Sequence, residues 1–179
     1  MPLPDQAIAS FKVSDPTLMN RVVRFLRCNT PDRWLLLEAL ALLCWARILI
    51  RVVPFRWIAP HLGHPMAESP GDVGVTERQL ALRIAWAVQA VARHVPLGFV
   101  CLPQAIAAKW MLRRRRLPST LYLGLQRKDE LKLTAHAWLR VGDTILTGRA
   151  ESLNHTVVAM YAEDGYLPGT RGHEGNRSD

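Results

Sequence analysis

The sequence predicts an α+β domain, with helices first and a small antiparallel sheet after them. Three observations carry that prediction. Up to Arg116 apolar residues recur at helical spacing between Pro- and Gly-rich breaks, whereas after Pro118 the period changes to two. Helices followed by strands, rather than strands alternating with helices, is the α+β order. The chain has 179 residues, 49% hydrophobic and 21% charged, which suits one globular domain with a sizeable core and excludes wholesale disorder.

Residues 1–29, with Pro2, Pro4 and Pro16 and no clear periodicity, are expected to form an N-terminal arm. Thr30-Pro31-Asp32 is a helix start: Thr30 is placed to cap, and Pro31 suits the first helical position, where no N–H is needed. That helix should run to about Val53 and stop before Pro54. The stretch from Pro60 to Val75, with Pro65, Pro70, Gly71 and Gly74, is expected to be a linker, so residues 30–75 form a helical segment plus linker. A second helix is expected from Thr76, where Thr76 and Gln79 have capping-box spacing, with Leu80, Ile84, Val88 and Val91 as its apolar stripe. Pro96 and Gly98 end it. A third helix opens at Cys101, tolerates Pro103 in its first turn and closes before Pro118.

The sheet follows. In Thr120–Gln126, Leu121, Leu123 and Leu125 face one way. In Leu131–Val141 the apolar face is Leu131, Leu133, Ala135, Ala137, Leu139 and Val141, while Lys132, Thr134, His136, Trp138 and Arg140 face the other way. Gly142-Asp143 is a tight turn, Thr144–Thr147 the returning strand, and Thr156–Tyr161 a further short strand. The core domain is therefore 76–161, and the polar, Gly-rich residues 162–179 are expected to be a disordered tail.

Composition narrows the function classes. Lys plus Arg number 23 against 15 Asp plus Glu, a net charge of +8, which admits nucleic acid, an anionic membrane surface or an acidic peptide as partner. No basic stripe with interleaved aromatics and no reading helix supports nucleic acid. Trp34–Val53 is the most membrane-like stretch, but Glu38, Arg47 and Arg51 interrupt it, so a buried or interfacial helix is expected rather than a span. The start of the chain lacks a basic region followed by an apolar run, as a secretory signal would have. Three cysteines without a CxxC pair argue against a disulfide scaffold or zinc knuckle, and a reduced, cytoplasmic setting fits them. His61 and His64 have HxxH spacing but no further ligands, so neither a metal nor another cofactor is expected.

Cys101 stands out because it sits where a loop becomes a helix. Unpaired backbone N–H groups and the helix dipole both favour a thiolate there. His136, on a strand 35 residues later, is placed to meet it across a helix–sheet interface, take the thiol proton and return it to a leaving amine. Cys44, mid-helix among leucines, reads as packing, and Cys28 has no activating neighbour. Trp110 and Trp138 read as core before groove, Arg113–Arg116 as a helix end that complements its dipole, and Gln89 or Gln104 as open candidates for an oxyanion donor.

GFVCLPQAIAAKWMLRRRRLPSTLYLGLQR, followed by LTAHAWLRVGDTILTG, resembles the lasso-peptide maturation protease, the leader-peptidase half of the lasso-peptide biosynthesis B protein (the microcin-processing protein C-terminal domain) within the transglutaminase-like cysteine protease superfamily. A Cys opening a helix, an Arg run, a Pro-Ser turn, a Leu-Gly strand and His-Ala-Trp on the next strand recur in order. PDRWLLLEALALLCWARILIRVVPFRW is similar to the helical segment before that core, and the resemblance covers roughly residues 20–161. It implies a papain/transglutaminase-like core preceded by N-terminal helices. It also implies removal of the leader from a ribosomally made precursor in bacterial cytoplasm, with Cys101 as nucleophile and His136 as general base. The implied partners are the precursor, a separate leader-recognition protein and an asparagine-synthetase-like lasso cyclase.

The chain departs from that pattern at the third catalytic position, an Asp about twelve residues beyond the His, where Gly148 stands. Asp143 lies in the turn, roughly 20 Å from His136 at about 3.3 Å per residue, and is rejected. A two-residue turn at Gly142-Asp143 would pair His136 with Arg149 and put Thr147 and Glu151 on the diagonals. Glu151 is thus the candidate to orient the imidazole; a backbone carbonyl, or a Cys–His dyad, stays open. If the chemistry is absent, the same fold would be a peptide-binding scaffold that presents the precursor to the cyclase. Residues before Thr30 are too few for the winged-helix leader-recognition domain that some B proteins carry.

Overall fold

In a computed structural model, residues 29–95, 97–129, 132–149 and 155–163 are described. Helix α1 (Thr30–Val52) ends where Pro54 removes the next donor. A short turn α2 (Phe55–Ile58) and a 3-10 turn (Ala59–Leu62) lead to a two-residue strand β1 (His64–Pro65). Then come α3 (Val75–His94) and α4 (Cys101–Arg114). The strands β2 (Thr120–Asp129), β3 (Lys132–Val141), β4 (Thr144–Thr147) and β5 (Thr156–Ala162) complete the chain. They form one antiparallel sheet of order β1-β5-β2-β3-β4. The α+β class is as the sequence predicts.

Helix α4 lies between α1 and α3 on one side and the sheet on the other. Its sequence explains why it can: Ala105, Ala107 and Ala108 let neighbours approach closely, and Ile106, Met111 and Leu112 fill the space between, all fully buried. α1 contributes Leu35, Ala39, Leu43 and Ala46 to the same core, and α3 contributes Ala81, Ile84 and Val88. On the sheet, Leu121, Ala137, Leu139 and Val141 face α4, but Leu125 and Leu133 further along the same apolar stripe are exposed. The stripe outruns the helix that covers it. No helix among the described residues is long and apolar enough to cross a membrane.

Several local expectations are corrected. Thr30 does not cap α1; Asn29 occupies that position without a side-chain bond. The Thr76–Gln79 pair is displaced by two residues, because α3 begins at Val75 and the Gly74 N–H donates to Glu77 Oε2 at 3.0 Å. The Pro60–Val75 stretch is more than a linker, since His64 and Pro65 pair with Ala162 and Tyr161 as an edge strand. A two-residue strand has no periodicity to read; its partner fixes it.

In the run Arg113–Arg116, Arg113, Arg114 and Arg116 are exposed, as a helix end is expected to be, but Arg113 and Arg115 also make defined bonds. Arg113 Nη1 donates to the His61 carbonyl at 3.0 Å. Arg115 grips both oxygens of Glu38, at 3.2 and 2.7 Å. Glu38, the acid that interrupts the apolar run of α1, is thus the anchor between α1 and the end of α4. The arm 1–28, with Cys28, and the tail 164–179 lie outside the described residues. Within the stretch assigned to the tail, Ala162 belongs to β5 and Glu163 pairs with Lys109 at 3.0 Å.

Candidate active site

Cys101 is the first residue of α4, and Val100 before it offers no side-chain cap. The N–H groups of Cys101 and Leu102 have no intrahelical acceptor, Pro103 has no N–H, and the Gln104 N–H donates to the Val100 carbonyl at 3.4 Å. Three bonds fix the approach to this point. Arg47 Nη1 donates to the Gly98 carbonyl at 2.5 Å, the Val100 N–H to the same carbonyl at 3.0 Å, and Gln104 Nε2 to the Phe99 carbonyl at 2.6 Å. Phe99 is buried beneath them. Gln104, considered as an oxyanion donor, holds the loop that delivers Cys101.

His136 lies on β3 opposite Gly124 of β2, and Trp138 lies opposite Tyr122. Gly124 has a steric reason. A Cβ there would fall 2.6 Å from the Trp138 ring and 2.9 Å from His155 Cβ, so only glycine lets the indole lie across the strand. Trp138 is buried, stacked on Tyr122 at 5.6 Å between centroids and 6.4 Å from the His136 ring. His155, the residue before β5, puts its ring 5.4 Å from that of His136. The His136 imidazole thus lies within a row of rings, between Trp138 and His155. At the far end of that row the Tyr122 hydroxyl donates to Glu68 and accepts from Arg140 Nε at 2.9 Å; burial pushes the phenol pKa up.

Cys101 and His136 line the same cavity, of about 290 Å³. Its other walls are apolar: Ile50, Val53, Phe55 and Ile58 from the N-terminal helices, Leu102, and Leu123, Leu125, Ala135 and Val158 from the sheet. The length of sheet that α4 leaves uncovered therefore forms one wall of the site. Cys44, half-buried midway along α1, takes no part in it.

The third position is where the structure departs most from expectation. β4 starts in the register set by the turn, with Val141 opposite Thr144 and Arg140 opposite Ile145. A bulge then slips the ladder, pairing Leu139 with Thr147, and β4 ends there. Leu146 is the extra residue. Its side chain is buried, and its carbonyl accepts from Gln89 Nε2 at 2.9 Å, which accounts for Gln89. The expected His136–Arg149 pair is therefore absent, and with it the register that made Glu151 a diagonal neighbour. Glu151 itself lies outside the described residues.

Gly148, where the resemblance expects Asp, does lie against the imidazole. It has a φ of +71°, and a Cβ on it would sit 2.7 Å from His136 Nε2 and 2.8 Å from the Ala137 carbonyl. A carboxylate cannot be supplied there by substitution in this backbone. Gly148→Asp is expected to lower stability by about 1–3 kcal/mol without raising activity, measured by denaturant unfolding beside any turnover assay. A more active variant would mean that β4 can adopt the unslipped register.

Sequence reasoning missed His155, because nothing in its spacing links it to His136; only the β5–β2 pairing does so. It also missed the structural parts played by Gly124 and Lys109.

A helix-opening cysteine and a strand histidine thus line one apolar cavity, and these are the two groups that acyl transfer through a thiol requires. The transglutaminase-like superfamily matches residues 45–160, well over half of the chain and inclusive of both residues; the chain belongs to this superfamily, which includes cysteine proteases. No curated protein and no solved structure matches it.

Proposed function

We propose that this protein is a cysteine peptidase that removes the leader from a ribosomally synthesised lasso-peptide precursor. The observation that carries the reading is the convergence of Cys101, at the start of α4, and His136, on β3, in one cavity. The order of motifs resembling the lasso leader peptidase supplies the substrate class.

In this reading His136 takes the Cys101 proton, and sulfur attacks the carbonyl carbon at the leader–core junction. The oxyanion forms beside the first-turn N–H groups of α4. The intermediate collapses as His136 protonates the departing amine, which is the new N-terminus of the core. The leader stays as a thioester on Cys101 until water, deprotonated by His136, hydrolyses it. The wholly apolar walls suit an apolar side chain beside the scissile bond. A separate recognition protein would present the leader, and an asparagine-synthetase-like cyclase would take the freed core.

Gly148 favours a second reading, a precursor-binding scaffold without chemistry, because no carboxylate can be placed at that position against His136. Alkylation separates the two. In the peptidase, iodoacetamide modifies Cys101 faster than Cys44, and His136→Ala removes the difference, with modified residues counted by peptide mass mapping. Equal, slow labelling of Cys101 and Cys44 in the wild-type chain supports the scaffold. His136→Ala should also abolish leader removal from precursor presented with its recognition protein; unchanged cleavage by that variant rules out the assigned base.

A further inference from the structure

The core accounts for one face of α1 and leaves the opposite face without a partner among the described residues. Trp34, Leu37, Ala41, Trp45, Ile48 and Val52 recur at three- and four-residue steps and are all exposed. Trp34 and Val52, at the two ends, are 69% and 74% exposed. At about 1.5 Å per residue the stripe is roughly 27 Å long. Trp57 on α2 continues it and is 64% exposed. An apolar face this long on a folded domain marks an interaction surface.

Charge indicates what it meets. Between Arg33 and Arg56 the only acid is Glu38, against Arg33, Arg47, Arg51 and Arg56. That acid is already matched, by Arg115 at 2.7 Å and Arg114 at 3.5 Å. At about 100° per residue, Arg33, Arg47 and Arg51 fall along one flank of the stripe. Arg113 and Arg114 of α4 border the groove on its other flank, beside Trp45 and Trp110. The stripe is thus an apolar ridge with tryptophans along it and arginines on both sides. Tryptophan at the boundary between apolar and polar layers, with cations beside it, is the chemistry of a helix lying in a lipid headgroup plane.

We propose that this face docks on an anionic lipid surface, with α1 lying parallel to the membrane and not crossing it. A basic rim with a single, already neutralised carboxylate suits anionic headgroups; a zwitterionic surface would leave the arginines without counter-charge. The proposal is independent of the peptidase reading, because Cys101 and His136 lie in another cavity.

The test is co-sedimentation of the full chain with vesicles of phosphatidylcholine, with and without phosphatidylglycerol. The chain is expected to sediment with the anionic vesicles, with a blue shift of tryptophan emission, and to stay in solution with the neutral ones. Trp45→Glu should weaken binding at least about tenfold, and Arg51→Glu about fivefold or more. Both positions are exposed, and unchanged far-ultraviolet circular dichroism confirms that the variants fold. A wild-type chain that stays in solution with both vesicle types overturns the proposal, whether a second copy, another protein or residues 1–28 cover the stripe. Anionic binding that survives Trp45→Glu and Arg51→Glu unchanged also overturns it, since the charge would then act from elsewhere.

Discussion

Cys101→Ala is expected to reduce leader removal by at least about a thousandfold, because no other described thiol reaches the cavity. The substitution removes the atom that would form the thioester and leaves the rest of the site in place. Cys101 is half-buried and its side chain is small, so the cost in stability should be about 1 kcal/mol or less. Loss of activity at nearly unchanged stability therefore separates chemistry from folding. Cleavage should be followed by mass spectrometry of the precursor, with thermal unfolding of the same sample alongside. Cys44→Ala is the control and should keep full activity. Leader removal by Cys101→Ala at the wild-type rate would eliminate the peptidase reading.

The second large effect concerns stability. Lys109 is 1% exposed, within α4, and its ammonium donates to the Ser119 carbonyl at 2.9 Å and pairs with Glu163 at 3.0 Å. Burial holds its pKa below the usual lysine value, and Glu163 offsets only part of that penalty. Glu163→Gln removes the counter-charge and leaves a buried cation. The expected loss is about 3 kcal/mol, towards the low end for a broken buried pair because the Ser119 carbonyl still accepts. Lys109→Met with Glu163→Gln should recover most of it, since an apolar chain of similar length needs no counter-charge. Urea unfolding of the single and double variants measures both effects.

The pH dependence of this pair has a definite sign. The folded-state pKa of Lys109 lies below its unfolded value of 10.5. Between those two values the unfolded chain binds more protons than the folded one, so the Lys109 contribution to stability becomes more favourable as pH rises. Below the folded value the penalty is present in full. Relative to Lys109→Met, the wild-type protein should gain stability on the alkaline side, towards pH 10.5.

The helices and the sheet were legible because apolar period and proline placement are local properties. The faces of the two strands carrying Tyr122 and His136 could be read from the alternation, and Cys101 could be placed at a helix start from the break at Gly98. The bulge in β4 could not be read, because a surplus residue such as Leu146 leaves the local alternation plausible in either register. Only the fit of Leu146 into the core and the bond from Gln89 decide between them. The same holds for β1, which exists because β5 pairs with it, and for Lys109, whose counter-charge lies 54 residues further along the chain. Interactions distant in sequence made these features, so local pattern was silent about them.

The bulge also separates two fixed points of the backbone, Gly142 and Gly148. Strain introduced at the Gly142-Asp143 turn travels along the first two rungs of the β3–β4 ladder and meets a break at Leu139. An unbroken ladder would pass such a disturbance, rung by rung, to the residues beside the imidazole. The turn itself is fixed by its own contacts: Gly142 has a φ of +57° and a Cβ on it would fall 2.6 Å from the Val73 side chain, Arg140 donates to its carbonyl at 2.6 Å, and Arg78 pairs with Asp143 at 2.9 Å. The slipped register thus acts as a mechanical isolator between that turn and the residues beside the His136 ring.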